Sequence, residues 1–267
     1  MILSGKRPRL LSGSKPQVGY IMQKLYNINK LAEKRNMSKQ QKIAIFDIDG
    51  TIFRKNLQFE LINELSWMSI FPRNVRDQIV AFYTNWLEHK GTYEQYRANL
   101  VGLYEKNIKD CSLKEVERAS KAVVSFHQDR TYIFAEELIR KLKQEDYHLI
   151  AISGSPIEIV KEFNNKHLHF DAVFGSVYEY NEKGICTGEA LYEPVKHKGH
   201  LVKQYVYEHS ISLDDSYGIG DTKSDASLLE IVANPIAFNP DENLKAIAEE
   251  KGWRIVVEKK DVIYEIK

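Results

Sequence analysis

The sequence predicts an α/β protein, built as a parallel central sheet with a helical cap inserted after the first strand. An apolar run over 42–46 has the length and the β-branched content of a buried parallel strand. The stretch from about 53 to 130 shows helical periodicity and no strand signal. Beyond 130, short apolar runs alternate with helical patterns of about a dozen residues, which is typical of right-handed βαβ units.

Within the inserted stretch, apolar residues recur at the spacing of one helix face, as over 57–65. Ser112 and Glu115 form the pattern of a capping box, in which the serine precedes the helix and the glutamate is its third residue. Most aromatic side chains here are expected to form the core of a helical bundle, with one or two facing a substrate. They include Trp67, Trp86, Tyr93 and Tyr96.

The remaining elements follow in alternation. The predicted helices cover 134–144, 157–165, 198–209, 224–232 and 242–251. The predicted strands cover 148–152, 172–174, 216–219, 236–238 and 254–257. Between 176 and 190, the turn residues Asn181 and Gly184 separate two short β-like runs and predict a hairpin.

Composition excludes several classes of protein. The chain has 267 residues, with 38 Lys and Arg against 37 Asp and Glu, so the charge excess of a dedicated nucleic-acid-binding protein is missing. No apolar run reaches the length of a membrane-spanning helix, so stable membrane insertion is not expected. The two cysteines, Cys111 and Cys186, suggest neither a disulfide framework nor a metal site, which favours a cytoplasmic location. The oligomeric state is left open.

The first 36 residues differ from the rest, with eight Lys and Arg and a single acid, Glu33. We interpret 1–36 as a basic and flexible extension that contains one helical pattern, over 21–31. The predicted core then comprises 37–53 and 131–267, and the predicted cap comprises 54–130. Met37 lies just before the first strand and is an alternative start of the functional protein.

Acidic and small polar residues follow three of the predicted strands. Asp47 and Asp49 follow the first strand, Ser153 follows the next, and Asp221 and Asp225 follow the strand over 216–219. In a parallel sheet these strand ends share one edge, so the carboxylates are expected to meet there. Clustered carboxylates need a cation, and oxygen ligands of this kind suit Mg²⁺. A magnesium ion over an aspartate in turn suits phosphoryl transfer.

Three motifs resemble those of the haloacid dehalogenase-like hydrolases. Phe46-Asp47-Ile48-Asp49-Gly50-Thr51 is similar to the first motif of that family, Ile152-Ser153-Gly154-Ser155 to the second, and the segment from Gly220 to Asp225 to the fourth. They occur in the family order over 42–225. The resemblance implies a Rossmann-like core, and a helical insertion directly after the first motif is similar to the phosphoserine phosphatase-like branch.

The resemblance also implies roles for individual residues. Asp47 would be the nucleophile and Asp49 the general acid and base. Mg²⁺ would be bound by Asp47, the carbonyl group of Asp49, and Asp221. The phosphate would be bound by Ser153 and the backbone of Gly154. Asp225 and Thr51 would support the site.

The family's third motif is a single lysine, and two residues of this chain are candidates. Lys198 lies at the start of a predicted helix, where the family has its lysine, and is preferred. Lys196 is the alternative. The chosen lysine would neutralise phosphate charge and pair with Asp47 or Asp225.

The chain departs from phosphoserine phosphatases where they bind serine. Asn56 stands where they carry the acidic residue that binds the amine, and Leu100 stands where they carry the arginine that binds the carboxylate. Arg97 is a nearby but displaced substitute. We therefore expect a Mg²⁺-dependent phosphatase that hydrolyses a small or lipid-like phosphate monoester through an aspartyl-phosphate. The alternatives are a phosphoserine phosphatase and a non-catalytic binding protein on the same fold.

Overall fold

The structure is a computed structural model that describes residues 41–266. Its strands are β1 (Lys42–Phe46), β2 (His148–Pro156), β3 (Ala172–Tyr180), β4 (Cys186–Tyr192), β5 (Ser212–Gly220), β6 (Asn234–Phe238), β7 (Arg254–Lys259) and β8 (Val262–Ile266). Its α-helices are α1 (Leu57–Trp67), α2 (Asn74–Leu87), α3 (Tyr93–Ile108), α4 (Leu113–His127), α5 (Ile133–Gln144), α6 (Ile157–Phe163), α7 (Lys198–His209), α8 (Ala226–Leu229) and α9 (Glu242–Lys251).

The strands form one eight-stranded sheet in the order β4-β3-β2-β1-β5-β6-β7-β8. The six inner strands are parallel, whereas β4 and β8 pair antiparallel at the two edges. The chain therefore extends from β1 first toward β2 and β3, and later toward β5 and β6. This reversal places the carboxyl end of β1 at the topological switch point, where ligands of such sheets bind.

The inserted helices α1–α4 follow β1 directly, as the periodicity predicts. Their boundaries are set by local capping. Ser112 accepts a hydrogen bond from the backbone of Glu115, whose side chain accepts one from Ser112 in return, so the predicted capping box at the start of α4 is confirmed. Thr92 and Gln95 form a second capping box at α3. The apolar faces of α1 and α4 are buried in the main hydrophobic core.

Several predicted boundaries are wrong. The strand predicted to end at 152 continues to Pro156, which caps α6. The helix predicted over 224–232 is a single 3₁₀ turn at Lys223–Asp225 followed by the four residues of α8. Strand β8 is not among the predicted elements; its side chains are all exposed, and it pairs with β7 at the edge of the sheet.

The prediction that the aromatic residues of the insertion are mostly core is also wrong. Trp67 is 65% exposed, with the Arg76 guanidinium 3.6 Å from its ring centre. Trp86, Tyr93 and Tyr96 are absent from the buried core and line an open groove instead. Val75 is the fully buried residue of α2, and Ile79 and Phe82 pack against the core while partly exposed.

Both cysteines are free thiols, as the sequence predicts. Within residues 41–266, none of the helices has the length and apolar character needed to cross a membrane. The predicted flexible extension over 1–36 and the alternative start at Met37 lie outside the described residues.

Candidate active site

The site is built where β1 ends between β2 and β5. Asp47 continues the line of β1, and its backbone N–H donates to the carbonyl oxygen of Ile219 on β5 at 2.9 Å. Asp47 is only 5% exposed, and it lines a pocket together with Asp49, Gly154 and Asp221. The structure therefore brings residues from all three sequence motifs to one edge of the sheet.

Lys198, the first residue of α7, lies between two carboxylates. Its ammonium group donates to Asp47 Oδ1 at 2.5 Å and to Asp225 Oδ1 at 2.6 Å. All three side chains are buried, so each charge depends on the others for its stabilisation. The neighbouring carboxylates raise the pKa of Lys198 despite its burial, which keeps it positively charged.

Lys196 has a different environment from Lys198. It lies in the 3₁₀ turn Pro194–Lys196, is exposed, and pairs with Glu193 at 2.7 Å. The structure thus places the preferred lysine of the sequence analysis beside Asp47 and places the alternative at the surface.

Asp49 is held by three donors. Its Oδ2 accepts hydrogen bonds from the hydroxyl groups of Ser153 and Ser155, at 2.5 and 2.8 Å, and its Oδ1 accepts one from the backbone N–H of Leu57 at 2.6 Å. Burial raises the pKa of Asp49 although these hydrogen bonds oppose the change. A carboxyl group with a raised pKa in a fixed orientation suits proton transfer.

Asp225 orders the loop that follows β5. Its Oδ2 accepts from the backbone N–H groups of Asp221 and Thr222, at 3.1 and 3.0 Å, while its Oδ1 is paired with Lys198. Both oxygens of Asp225 are therefore engaged within the protein.

Gly50 approaches the same loop so closely that a Cβ atom built on it would lie 2.1 Å from Asp221 Oδ2. Glycine is also favoured there by a φ of +90°.

The donor set fits a hard cation. Asp47, Asp221 and Asp225 each offer a carboxylate oxygen, and these oxygens lie within 4.8 Å of one another. Because Asp225 is already engaged, Asp47 and Asp221 are the carboxylates available to an ion. Asp47 Oδ2 is buried and has no hydrogen-bond partner among the described residues. Burial and the neighbouring carboxylates raise the pKa of Asp221, and burial raises the pKa of Asp47 to about 7. Both shifts are expected for carboxylates that lie close together without a cation between them.

Residues of the inserted helices complete the pocket. Asn56 and Gln58 contribute from the start of α1, and Arg97, Val101 and Glu105 contribute from α3. Arg97 forms no ion pair with any residue between 41 and 266. Leu100, one turn further along the helix, is fully buried in the apolar core. Arg97, and not the position of Leu100, therefore faces the pocket.

The other sequence-predicted residues occupy supporting positions. Ser153 is fully buried and its hydroxyl group is engaged by Asp49. Thr51 is also fully buried, does not line the pocket, and has a hydroxyl group without a partner in the described structure. Sequence reasoning missed the contact between Ser155 and Asp49, although Ser155 stands two residues after Ser153, the spacing that returns to the same face of a strand.

Comparisons with known proteins agree with this geometry. The model of the haloacid dehalogenase-like hydrolase family matches residues 44–230. Phosphoserine phosphatase from Methanocaldococcus jannaschii is 27% identical over 229 residues, which are 85% of this chain and 96% of that protein.

Two solved structures are similar over most of the chain. A phospho-aspartyl intermediate analogue of phosphoserine phosphatase has a TM-score of 0.56 at 26% identity, covering 84% of this chain and 96% of its own. A protein of unknown function from Bordetella pertussis Tohama I has a TM-score of 0.64 at 20% identity, covering 81% and 98%, and so shares the fold.

The chain belongs to the haloacid dehalogenase-like hydrolases, because the model of that family matches residues 44–230, and the aspartate-lined pocket at the switch point of the sheet agrees with this class. Within it, the chain is a phosphoserine phosphatase-like member and a phosphoric monoester hydrolase. The predicted fold class and enzyme class are thereby confirmed, and the non-catalytic alternative is not supported.

Proposed function

We propose that this protein is a Mg²⁺-dependent phosphatase that hydrolyses the phosphate monoester of a small organic molecule through a phosphorylated Asp47. The observation that carries the proposal is the bridge that Lys198 makes between Asp47 and Asp225. It holds one oxygen of Asp47 and leaves Oδ2 buried with no partner between residues 41 and 266, in a pocket that Asp49 also lines. A magnesium ion bound by Asp47, the carbonyl group of Asp49, and Asp221 would screen the charge of the phosphoryl group.

In the first half-reaction, an oxygen of Asp47 attacks phosphorus and the bond to the leaving oxygen breaks. Asp49 donates a proton to that oxygen, for which its raised pKa is suited. In the second half-reaction, Asp49 takes a proton from a water molecule as that water attacks phosphorus. The bond between phosphorus and Asp47 then breaks, which releases phosphate and restores both carboxyl groups.

The remaining groups of the site bind the phosphate. The backbone of Gly154 lines the pocket. The Ser153 hydroxyl group donates to Asp49 in this structure and would donate to a phosphate oxygen when phosphate binds. Lys198 supplies the positive charge. The inserted helices would act as a cap that excludes water and contacts the leaving group.

The direct test compares the wild type with Asp47→Asn on p-nitrophenyl phosphate and a panel of natural phosphate esters. The amide cannot attack phosphorus, so turnover should fall at least about a thousandfold, while the thermal unfolding midpoint still shows a folded protein. Chelation should abolish the phosphatase activity of the wild type, and added Mg²⁺ should restore that activity. Near-normal turnover by Asp47→Asn, or full activity in excess chelator after dialysis, would disprove the mechanism.

Phosphoserine is the second candidate substrate, favoured by the relatives named above and by Arg97, a cation in the pocket that could bind a carboxylate. Asn56 lacks the charge to bind the amine, so we predict that Asn56→Glu raises kcat/KM for phosphoserine relative to p-nitrophenyl phosphate by about tenfold. Adding Leu100→Arg should lower stability, because it would bury a charge in the core. An unchanged substrate ratio in a folded Asn56→Glu variant would exclude Asn56 from substrate recognition.

A further inference from the structure

A groove lined by aromatic rings leads away from the catalytic pocket. We call it the aromatic groove. The inserted helices contribute Phe59, Tyr83, Trp86, Tyr93 and Tyr96 to its wall, and Tyr132 also lines it. Asn56 and Asp221 line both the catalytic pocket and this groove, so the two spaces meet at the proposed metal ligand. A leaving group attached to a phosphate at Asp47 can therefore extend into the groove.

The rings form one connected array. Trp86 and Tyr96 are stacked, with ring centres 5.6 Å apart and planes 10° from parallel. Tyr83 lies 5.8 Å from Trp86, Tyr93 lies 5.3 Å from it, and the ring of Phe59 meets that of Tyr96 edge to face. Stacked and edge-to-face rings hold each other in fixed orientations, so the wall presents a preformed aromatic surface.

Only part of this surface packs on the fold. Phe59 and Tyr96 are partly buried against the main core, whereas Tyr83 is 45% exposed and Tyr93 36% exposed. Aromatic side chains that meet each other at a surface, beside a catalytic pocket, are typical of a ligand-binding site. An array of this kind contacts a ligand through the faces and edges of its rings.

The rest of the groove is polar. Asn56, Asn63 and Asn239 supply amide groups along it. Arg54 and Lys55 also line it, paired with Glu258 and with Glu60, which lies in the same groove. An acyl chain would cover these groups without giving them hydrogen-bond partners, which is costly. A planar heterocycle can stack on the rings and still offer polar atoms at its edge to the amides.

From the continuity of the groove with the pocket, the ring array and the facing amides, we infer that the preferred substrate carries a planar heteroaromatic ring on its leaving group. The inference rests on the proposed phosphatase function and specifies its substrate class. Trp86 and Tyr96 would contact the ring of the leaving group, and they take no part in the chemistry at Asp47.

The test uses matched phosphate esters. Ribose 5-phosphate and adenosine 5′-monophosphate share the phosphorylated ribose and differ at C1′, which carries a hydroxyl group in the first and the base in the second. Pyridoxal 5′-phosphate provides a ring closer to the phosphate, and octyl phosphate represents an apolar chain. At least one ring ester should have a kcat/KM about tenfold or more above those of ribose 5-phosphate and glycerol 3-phosphate. Trp86→Ala should reduce that value about tenfold, mainly through KM, and Trp86→Phe should retain most of it.

Two controls distinguish recognition from folding. Trp67→Ala removes a tryptophan that is exposed outside the groove and should leave all rates unchanged. Hydrolysis of glycerol 3-phosphate by Trp86→Ala should stay within about twofold of the wild type, which shows an intact catalytic core. A preference for octyl phosphate, or a ring preference that Trp86→Ala leaves unchanged, would overturn the inference. Failure to hydrolyse any phosphate ester would instead overturn the proposed function.

Discussion

Lys198 shows how one residue organises this site. Its ammonium group is buried between Asp47 and Asp225, and those carboxylates have no other cation within 4.0 Å in the described part of the chain. Removing one partner of a buried ion pair leaves an uncompensated charge, which costs about 3–5 kcal/mol. The lysine thus stabilises the fold at the same atoms where it would bind phosphate.

We therefore predict that Lys198→Ala lowers kcat/KM at least about a hundredfold and lowers the free energy of unfolding by about 3 kcal/mol. Lys196→Ala is the matched control, since Lys196 is exposed and pairs only with Glu193. It should change neither quantity measurably. Steady-state kinetics and urea denaturation of both variants measure the two effects, and equal losses in both would contradict the assignment of Lys198.

At the scale of elements, α4 depends on its capping box. The helix begins beside the β3–β4 hairpin, where the N–H of Leu113 donates to the carbonyl oxygen of Gly184 at 2.8 Å. Ser112 is the N-cap of α4, so its side chain fixes the residue at which this helix begins.

Ser112→Ala should lower the free energy of unfolding by about 1 kcal/mol, because a backbone N–H at the helix start loses its acceptor. Ser112→Thr keeps that acceptor and should restore most of the loss. Catalysis should not change in either variant, since Ser112 does not line the catalytic pocket. A large fall in kcat with unchanged stability would show that this cap acts on the active site.

For the whole molecule, one carboxyl group outside the site makes stability depend on pH. Burial raises the pKa of Glu158 on α6 to about 7, and its Oε2 has no hydrogen-bond partner in the described structure. The unfolded chain ionises this group near pH 4.5, whereas the folded chain holds its proton longer. The stability contributed by the protonated group is therefore complete below about pH 4.5 and is lost as the pH rises to about 7.

Glu158→Gln removes this titration and should raise the free energy of unfolding at pH 8 by roughly 1–3 kcal/mol. At pH 4 the variant and the wild type should be equally stable with respect to this group. Urea denaturation across pH 4–8 measures the difference. Glu145→Gln, at an exposed position after α5, is the control and should show no such trend. A stability gain that is the same at every pH would contradict the assignment.

The sequence by itself determined most of the helices and strands and the motif residues that the sheet brings together. The predicted bounds of α7 and α9 agree with the structure, because apolar spacing and helix-end signals are local properties of the sequence. The motif residues Asp47, Asp49, Ser153, Asp221 and Asp225 were found in the same way, since parallel strands bring their ends to one edge whatever the details of packing.

Only the tertiary structure decided which side chains of the neighbouring segments face the site. Lys196 and Lys198 are two residues apart, and the change from a 3₁₀ turn to a helix between them places one outside and one inside. Arg97 faces the pocket and Leu100 the core because of how α3 is rotated against the sheet. The aromatic groove joins α1, α2 and α3 with loops of the sheet, and such contacts arise from long-range packing that local periodicity does not encode.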